Sequence, residues 1–307
     1  MTRPIILLAN PASGRGRSAA AAQALADRIL AFGIPTRTVS GSSAGDARAA
    51  LADAVHDQRP AAIVACGGDG TVHMALQAVA DTDIALGILP VGTGNDNAGA
   101  LGLPSDTDQA AAIICDLIWS GQTRVVDAGR AIVQGESRWF LGVLSSGFDS
   151  SVNARANNMS WPAGQARYIA AILAELRVFR AVPYRLTLDA GLPTEMIIEK
   201  RGMLLAVANG PRYGGGMKVA PDAQMDDGLL DLTFLDELKT STFLRVFPSV
   251  YAGTHIRRPE VHQYRARTVR IEAPSQTAYA DGELIGALPV DVEIVAGAVR
   301  VLARPTS

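Results

Sequence analysis

Two glycine-bearing turns of this 307-residue chain carry carboxylates that could hold a cation beside a phosphate. The first, GGDGT at residues 67–71, follows an apolar run and precedes a helical pattern, so its backbone N–H groups could converge on an anion at a helix N-terminus. Asp69 brings a negative charge to the same place, which is unfavourable beside a phosphate unless a cation lies between them. This combination predicts a Mg²⁺–nucleotide site, with a purely structural turn as the alternative.

The second turn, LPVGTGND at residues 89–96, repeats the construction after the next apolar run. Thr93 and Asn95 supply short hydrogen-bonding side chains, and Asp96 supplies another carboxylate. The same construction after a second strand favours a shared site over two coincidental turns.

A third turn, NPASGRG at residues 10–16, places Asn10 and Ser13 between a strand-like run and a helical pattern. The chain has no Gly-Lys dipeptide, so this turn is not a Walker loop, and it lacks the Gly-x-Gly-x-x-Gly pattern of dinucleotide dehydrogenases. Taken alone, this motif is weak, and an ordinary turn is the favoured interpretation.

The first 120 residues alternate between short apolar runs and alanine-rich helical runs, which predicts a parallel sheet with helices on both faces. Ligands of such sheets bind at the carboxyl ends of the strands, where the three turns lie. Leu25, Ile29 and Phe32 recur at helical spacing, which favours a helix over this segment. Strands are predicted at 5–9, 61–66 and 84–90, and helices at 17–32, 46–55 and 71–80.

From about residue 124 the sequence reads as strands separated by turn signals, with two helical interruptions at 164–181 and 239–253. Tyr168, Ile172 and Leu176 form an apolar stripe on the first of these helices, together with Phe179. Such a stripe is more typical of a core than of a lipid-binding wall. No linker separates the two halves, which predicts that they pack closely.

Composition excludes several classes of protein. A net charge of −2 gives no general attraction to nucleic acid, and no nucleic-acid partner is expected. The two cysteines form neither a disulfide framework nor a metal-ligand spacing, and no apolar stretch is long enough to span a membrane. A cytoplasmic protein is therefore expected, with peripheral membrane contact only. Residues 255–270 could attract anionic lipid headgroups or form a solvated face, through Arg257, Arg258, Arg265, Arg267 and Arg270.

The motifs NPASG, GGDGT and PVGTGND, in this order and at this spacing, resemble the catalytic domain of the diacylglycerol kinase and lipid kinase family, which includes sphingosine and ceramide kinases. SSGFD at 145–149, VAPDAQMDDGLLDL at 219–232 and DGE at 281–283 extend the resemblance over nearly the whole chain. The resemblance implies transfer of the γ-phosphoryl group of ATP to a hydroxyl of a lipid at a membrane surface, with Mg²⁺ as cofactor.

The resemblance also implies a two-domain architecture. An α/β nucleotide-binding domain with an open parallel sheet would comprise residues 1–126, completed by residues 290–307. A β-sandwich-like domain with two helices would comprise residues 127–289 and accept the lipid.

Site residues follow from the matching motifs. Asp69 and Asp96 would organise the catalytic Mg²⁺, and Asp149 would either join them or cap a helix. The nucleotide would be held by Asn10, Ser13, Ser40, Gly67, Gly68, Asp69, Gly70, Thr71, Thr93, Asn95 and Asp96, where Ser40 rests on the resemblance alone.

The proton acceptor is assigned to the DGE motif. Asp281 and Glu283 alternate in a strand-like run, so both could face the site, with a β-turn carrying solvated acids as the alternative. The sequence does not decide between these two acids, and in some relatives the aspartate of the glycine turn, here Asp69, is given this role.

A separate structural Mg²⁺ is implied in the second domain, with Gln224, Asp227 and the carbonyl of Leu229 as ligands. Asp226 is a competing ligand, and a plain Asp-Asp-Gly turn is the alternative. The neutral amide of Gln224 is a weaker Mg²⁺ ligand than a carboxylate.

Two other functions stay open from the sequence. One is a kinase of a soluble acceptor, because NAD kinases and phosphofructokinases share the GGDGT turn. The other is a nucleotide-binding membrane sensor without catalysis, against which the DGE motif argues, since binding needs no proton acceptor. The identity of the lipid and the oligomeric state are undetermined, and a homodimer is one option.

Overall fold

The structure is a computed structural model that describes residues 3–10, 16–159, 161, 165–176 and 178–305. It divides into unit 1, Met1–Ala128 with Ala296–Ser307, and unit 2, Gly129–Val295. The chain passes between the units within two strands, β5 (Arg124–Val133) and β15 (Val290–Val301). The predicted divisions, after residue 126 and before residue 290, lie in or at the start of these strands. A strand that runs through both units has no change of composition to mark the boundary.

Unit 1 is a parallel sheet covered by helices, as the alternating pattern predicted. The strand order is β2-β1-β3-β4-β15, and every neighbouring pair is parallel. Its other strands are β1 (Ile5–Ala9), β2 (Thr36–Val39), β3 (Ala62–Gly67) and β4 (Ala85–Pro90). Its helices are α1 (Arg17–Ala31), α2 (Ala44–Gln58), α3 (Asp69–Val79), α4 (Asp96–Ala100) and α5 (Thr107–Ser120).

The strands β1, β3 and β4 are buried along their whole length, because helices cover both faces of the sheet. Leu25 and Ile29 of α1 pack with Ile114 of α5 against one face. Phe32, which has the same helical spacing in the sequence, does not share this buried face. Phe32 follows the last residue of α1, is 45% exposed and packs on the exposed Trp119.

Unit 2 is built on antiparallel strands, as its turn-rich sequence predicted. The long strand β9 pairs with β8 through its first half and with β7 and β10 through its second half. The path of pairing is β14-β13-β7-β9-β8-β12-β15, with β11 on β10 and a β5–β6 hairpin. The strands are β6 (Glu136–Phe140), β7 (Val143–Gly147), β8 (Val182–Leu188), β9 (Met196–Ala208), β10 (Leu230–Asp236), β11 (Val261–Ala266), β12 (Thr268–Glu272), β13 (Thr277–Ala280) and β14 (Glu283–Ala287).

More helix is present in unit 2 than the two predicted interruptions. The helices are α6 (Phe148–Asn158), α7 (Gln165–Glu175), α8 (Thr240–Val246) and α9 (Ser249–Ala252), and a 3₁₀ turn follows at Thr254–Arg257. Helix α6 was missed because its sequence is largely polar, and the burial of Phe148 and Val152 beside α7 and α8 stabilises it instead.

The apolar stripe predicted within residues 164–181 packs in the same cluster as Phe148 and Val152. Ile172 and Leu176 are buried there, and Phe179 packs against it. The side chain of Tyr168 lies outside the described residues. Of the described helices, none is long and apolar enough to cross a membrane.

Candidate functional site

The predicted nucleotide-binding residues of unit 1 follow four neighbouring parallel strands. Asn10 follows β1, Ser40 follows β2, the glycine turn follows β3 and residues 91–96 follow β4. Because the strands are parallel, these segments lie along one edge of the sheet. Ser13 lies outside the described residues, so its predicted role is not addressed.

The glycines of the first turn allow its backbone to lie close to the backbone of the second turn. Neither Gly67 nor Gly68 has a positive φ angle, and Gly68 is extended at φ −98°. The backbones of Gly68 and Gly92 touch, and a Cβ atom on Gly92 would lie 2.5 Å from the Cα atom of Gly68. The two predicted turns are therefore packed against each other and form one surface.

The start of α3 suits a phosphate. No side chain caps this helix in the part of the chain that the structure describes, so the amide groups of Asp69 and Gly70 keep their capacity to donate. Thr71 is 3% exposed, and its hydroxyl lacks a hydrogen-bond partner among the described residues. These donors at the N-terminus of an 11-residue helix fit a phosphate group.

Asp69 ties the two turns together. Its carboxylate accepts hydrogen bonds from the amide groups of Asp96 and Asn97, each at 3.2 Å, and from the side chain of Asn97 at 3.3 Å. Asn95 closes its own turn, because its side chain accepts from the Gly92 amide group at 3.1 Å and donates to the Gly92 carbonyl group at 3.0 Å. Asp96 is buried, whereas Thr93 is exposed.

A buried serine also positions this edge, and sequence reasoning did not find it. The Ser18 hydroxyl, in the first turn of α1, donates to the carbonyl group of Cys66 near the end of β3. The contact holds the start of α1 beside the glycine turn. Burial raises the pKa of the Cys66 thiol to about 12, so this cysteine is an inert core residue.

In unit 2 the DGE motif is a hairpin turn, so the prediction that Asp281 lies in a strand is wrong. Asp281 and Gly282 both have positive φ angles, 51° and 86°, as a two-residue turn between β13 and β14 requires. The Asp281 residue is also half-buried rather than fully solvated. It accepts hydrogen bonds from three consecutive amide groups, those of Leu141 at 2.8 Å, Gly142 at 3.0 Å and Val143 at 3.1 Å.

Glu283 differs from Asp281 in its surroundings. It is the first residue of β14 and is exposed. Of the two acids of the motif, Asp281 anchors the β6–β7 connection, whereas the Glu283 side chain is exposed to solvent.

Asp149 lies at an apolar pocket. It is the second residue of α6, whose N-cap is Gly147, so it does not cap this helix. Asp149 is 5% exposed and accepts a hydrogen bond of 2.7 Å from the Ser145 hydroxyl.

The cavity volume of this pocket is about 70 Å³. Apart from Asp149, Tyr213, Thr233 and His255, its lining is apolar, and α6, α7, β9, β10, α8 and the 3₁₀ turn all contribute. The sequence contains no local signal for it, because no single element forms more than a part of its wall. Its apolar residues are Phe148, Ile172, Leu204, Met217, Val219, Leu235, Leu238, Phe243, Val246, Phe247, Val250 and Val261.

Comparison with known proteins decides the family. Residues 4–131 match the model of the diacylglycerol kinase catalytic domain, and residues 142–303 match that of the YegS C-terminal NAD kinase beta sandwich-like domain. A diacylglycerol kinase of Mycobacterium tuberculosis is 42% identical over 302 residues, which cover 98% of this chain and 95% of that relative. The chain belongs to the diacylglycerol kinase and lipid kinase family.

Other members of the family support this placement. A diacylglycerol kinase of Bacillus subtilis is 29% identical over 92% of this chain and 90% of its own. A crystal structure of a diacylglycerol kinase from Bacillus anthracis has a TM-score of 0.69 at 20% identity, covers 99% of this chain and 97% of its own, and so shows the same fold. The predicted family and fold class are confirmed.

The structural Mg²⁺ site implied by the family does not fit the residues as they lie here. The Asp227 carboxylate accepts from the Leu229 amide group at 3.1 Å and from the guanidinium group of Arg265. Arg265 also contacts Asp231, with 3.1 Å between its Nε atom and the carboxylate. Gln224 is exposed, and no cluster of three or more acidic, histidine or cysteine residues within the described ranges could hold a metal ion. A positive charge thus already lies beside Asp227.

We predict that the stability of this kinase does not depend on divalent cations. Removal of Mg²⁺ with EDTA should leave the Tm of the nucleotide-free protein unchanged to within about 1 °C, because Arg265 bridges the two carboxylates. Arg265→Ala should lower the Tm by a few degrees, since an ion pair is worth about 1 kcal/mol or less and each kcal/mol corresponds to about 2–4 °C. The variant should regain stability on addition of Mg²⁺.

Differential scanning fluorimetry with and without EDTA provides the measurement. Arg270→Ala is the matched control, because Arg270 forms an exposed ion pair with Asp291 in the same unit and should give no Mg²⁺ response. If the Tm of the unmodified protein instead falls by several degrees in EDTA, the structural Mg²⁺ site at Asp227 would be supported.

A second prediction concerns Asp69. Asp69→Asn should lower the Tm of the nucleotide-free protein, because an asparagine amide group places a donor against amide groups that donate. An unsatisfied buried donor costs about 1–3 kcal/mol. The exposed Asp53→Asn on α2 is the control and should leave the Tm unchanged. An unchanged Tm for Asp69→Asn together with lost activity would assign Asp69 to the reaction alone.

Proposed function

We propose that this family member transfers the γ-phosphoryl group of ATP to a hydroxyl group of a lipid such as diacylglycerol, with Mg²⁺ as cofactor. The observation that supports this function best is the apolar pocket of unit 2, which has Asp149 in its wall.

An apolar pocket favours an acyl chain over a soluble acceptor. Each buried methylene group contributes about 0.8 kcal/mol, whereas a sugar phosphate or a dinucleotide would have to desolvate its charges against the same lining. The pocket therefore argues against the soluble-acceptor alternative, although one matching family model is described as NAD kinase-like.

The predicted site residues would have different roles in the reaction. The donors at the start of α3 would bind the phosphates of ATP, and Asp69 with Asn95 would hold the two turns in place. Bound Mg²⁺ would neutralise phosphate charge, and Asp69 and Asp96 of unit 1 would supply two of the oxygen ligands that it prefers. The Glu283 carboxylate would accept the proton of the lipid hydroxyl as that oxygen bonds to phosphorus, and ADP would leave.

Peripheral membrane contact is part of this proposal. The arginine patch at 255–270 is partly neutralised, because Arg258, Arg265 and Arg270 each pair with a carboxylate. Exposed apolar side chains on unit 2, among them Trp161, Val178, Leu244 and Tyr251, would add further contacts with lipid.

Transfer of labelled phosphate from ATP to lipids in mixed micelles tests the function. Diacylglycerol, a sphingoid base, ceramide and phosphatidylglycerol would be offered separately, with NAD and a sugar phosphate as soluble acceptors. Transfer to one or more lipids is expected, with loss on chelation of Mg²⁺. Transfer to a soluble acceptor alone would establish the alternative kinase, and ATP binding without any transfer would support a sensor.

A further inference from the structure

A buried histidine in the apolar pocket of unit 2 has a ring nitrogen atom that lacks a hydrogen-bond partner among the described residues. His255, in the 3₁₀ turn that follows α9, is 5% exposed and lines the pocket. Its Nε2 atom lies 3.2 Å from the carbonyl oxygen of Val219, and its Nδ1 atom is buried without a partner among the described residues.

The carbonyl group fixes the chemical state of the ring. A carbonyl oxygen only accepts hydrogen bonds, so Nε2 carries the hydrogen atom and donates it to Val219. Burial lowers the pKa of His255, which keeps the ring neutral. The Nδ1 atom of this tautomer has a lone pair and no hydrogen, so it is an acceptor in a mostly apolar wall.

Only a donor can satisfy such an atom. The ester carbonyl groups of a diacylglycerol are acceptors and cannot pair with it, and its single hydroxyl group is consumed by the reaction. A further hydroxyl group or an amide N–H group on the lipid could pair with Nδ1, and a buried polar atom left unpaired is unfavourable.

We propose that His255 is a specificity residue that accepts a hydrogen bond from a second donor on the bound lipid. This inference rests on the proposed function, since it requires a lipid in the pocket of unit 2. It predicts that the preferred acceptor carries a hydroxyl or amide N–H group in addition to the hydroxyl group that is phosphorylated.

Matched acceptors test the proposal. A diacylglycerol with plain chains would be compared with the same lipid bearing one hydroxyl group, moved along one acyl chain in a series. In the unmodified enzyme, the lipid whose hydroxyl group reaches His255 should have a kcat/KM about 10- to 100-fold higher than that of the plain lipid. His255→Leu should reduce this ratio to about one.

Thr233→Val is the matched control. The Thr233 hydroxyl also donates to the Val219 carbonyl group, at 2.9 Å, and Thr233 lines the same pocket. This variant loses a hydrogen bond to the same oxygen but keeps Nδ1, so it should retain the preference. Equal kcat/KM values along the whole series in the unmodified enzyme, or the same preference in His255→Leu, would overturn the proposal.

A spectroscopic measurement decides the question without turnover. In protein labelled with ¹⁵N-histidine, the Nδ1 resonance of His255 should move upfield when micelles of the hydroxylated lipid are added, and not with the plain lipid. An unchanged resonance with both lipids would contradict the proposal even if His255→Leu fails to fold. Failure of the proposed function differs from either result, because no lipid of any kind would be phosphorylated.

Discussion

Glu283→Gln is expected to lower kcat for phosphate transfer by about 10²–10⁴-fold, the usual contribution of a general base. The glutamine side chain has nearly the same size but cannot take the proton of the lipid hydroxyl. Glu283 is exposed, so the Tm and the affinity for ATP should stay close to those of the unmodified protein. Initial rates in mixed micelles at saturating ATP, with nucleotide binding measured by calorimetry, provide the test.

Glu136→Gln is the control for this result. Glu136 is an exposed glutamate at the start of β6 in the same unit, and its replacement should leave kcat unchanged. A kcat for Glu283→Gln within tenfold of the unmodified value would remove Glu283 from the reaction. If Asp69→Asn alone abolished turnover while still binding ATP, the base would instead be the aspartate of the glycine turn.

Asp281→Asn is expected to destabilise unit 2 by about 2–3 kcal/mol, because its carboxylate accepts three backbone hydrogen bonds. Asparagine tolerates the positive φ angle of 51° as well as aspartate does, so the substitution isolates the loss of the carboxylate. The side-chain NH₂ group would face an amide group that also donates. A Tm lowered by about 4–12 °C should result, at about 2–4 °C per kcal/mol.

Urea denaturation and differential scanning calorimetry measure this effect. Asp291→Asn removes an exposed carboxylate that pairs with Arg270 in the same unit, and it should shift the Tm by no more than about 2 °C. A Tm of Asp281→Asn within 1 °C of the unmodified protein, combined with lost turnover, would return Asp281 to a catalytic role. Replacement of Asp281 should therefore change mainly the stability, and replacement of Glu283 should change mainly kcat.

Local patterns account for the parts of the fold that were predicted correctly. Helix α1 was predicted at 17–32 and lies at Arg17–Ala31, and β4 was predicted at 84–90 and lies at Ala85–Pro90, because periodicity and turn residues are properties of neighbouring positions. Helix α6 was not predicted, because its stability comes from contacts of Phe148 and Val152 with distant helices.

The sequence by itself determined the family, the two kinds of sheet and the edge at which the predicted nucleotide-binding residues lie. These follow from motif order and from the rule that parallel strands end at one edge. Only the tertiary structure decided which carboxylates have partners. Asp69 bonds to residues 27 and 28 positions away, Asp227 to one 38 positions away and Asp281 to residues 138–140 positions away. Hydrogen bonds over such separations leave no periodic pattern in the chain, so the role of an acid depends on which amide or guanidinium groups the fold places beside it.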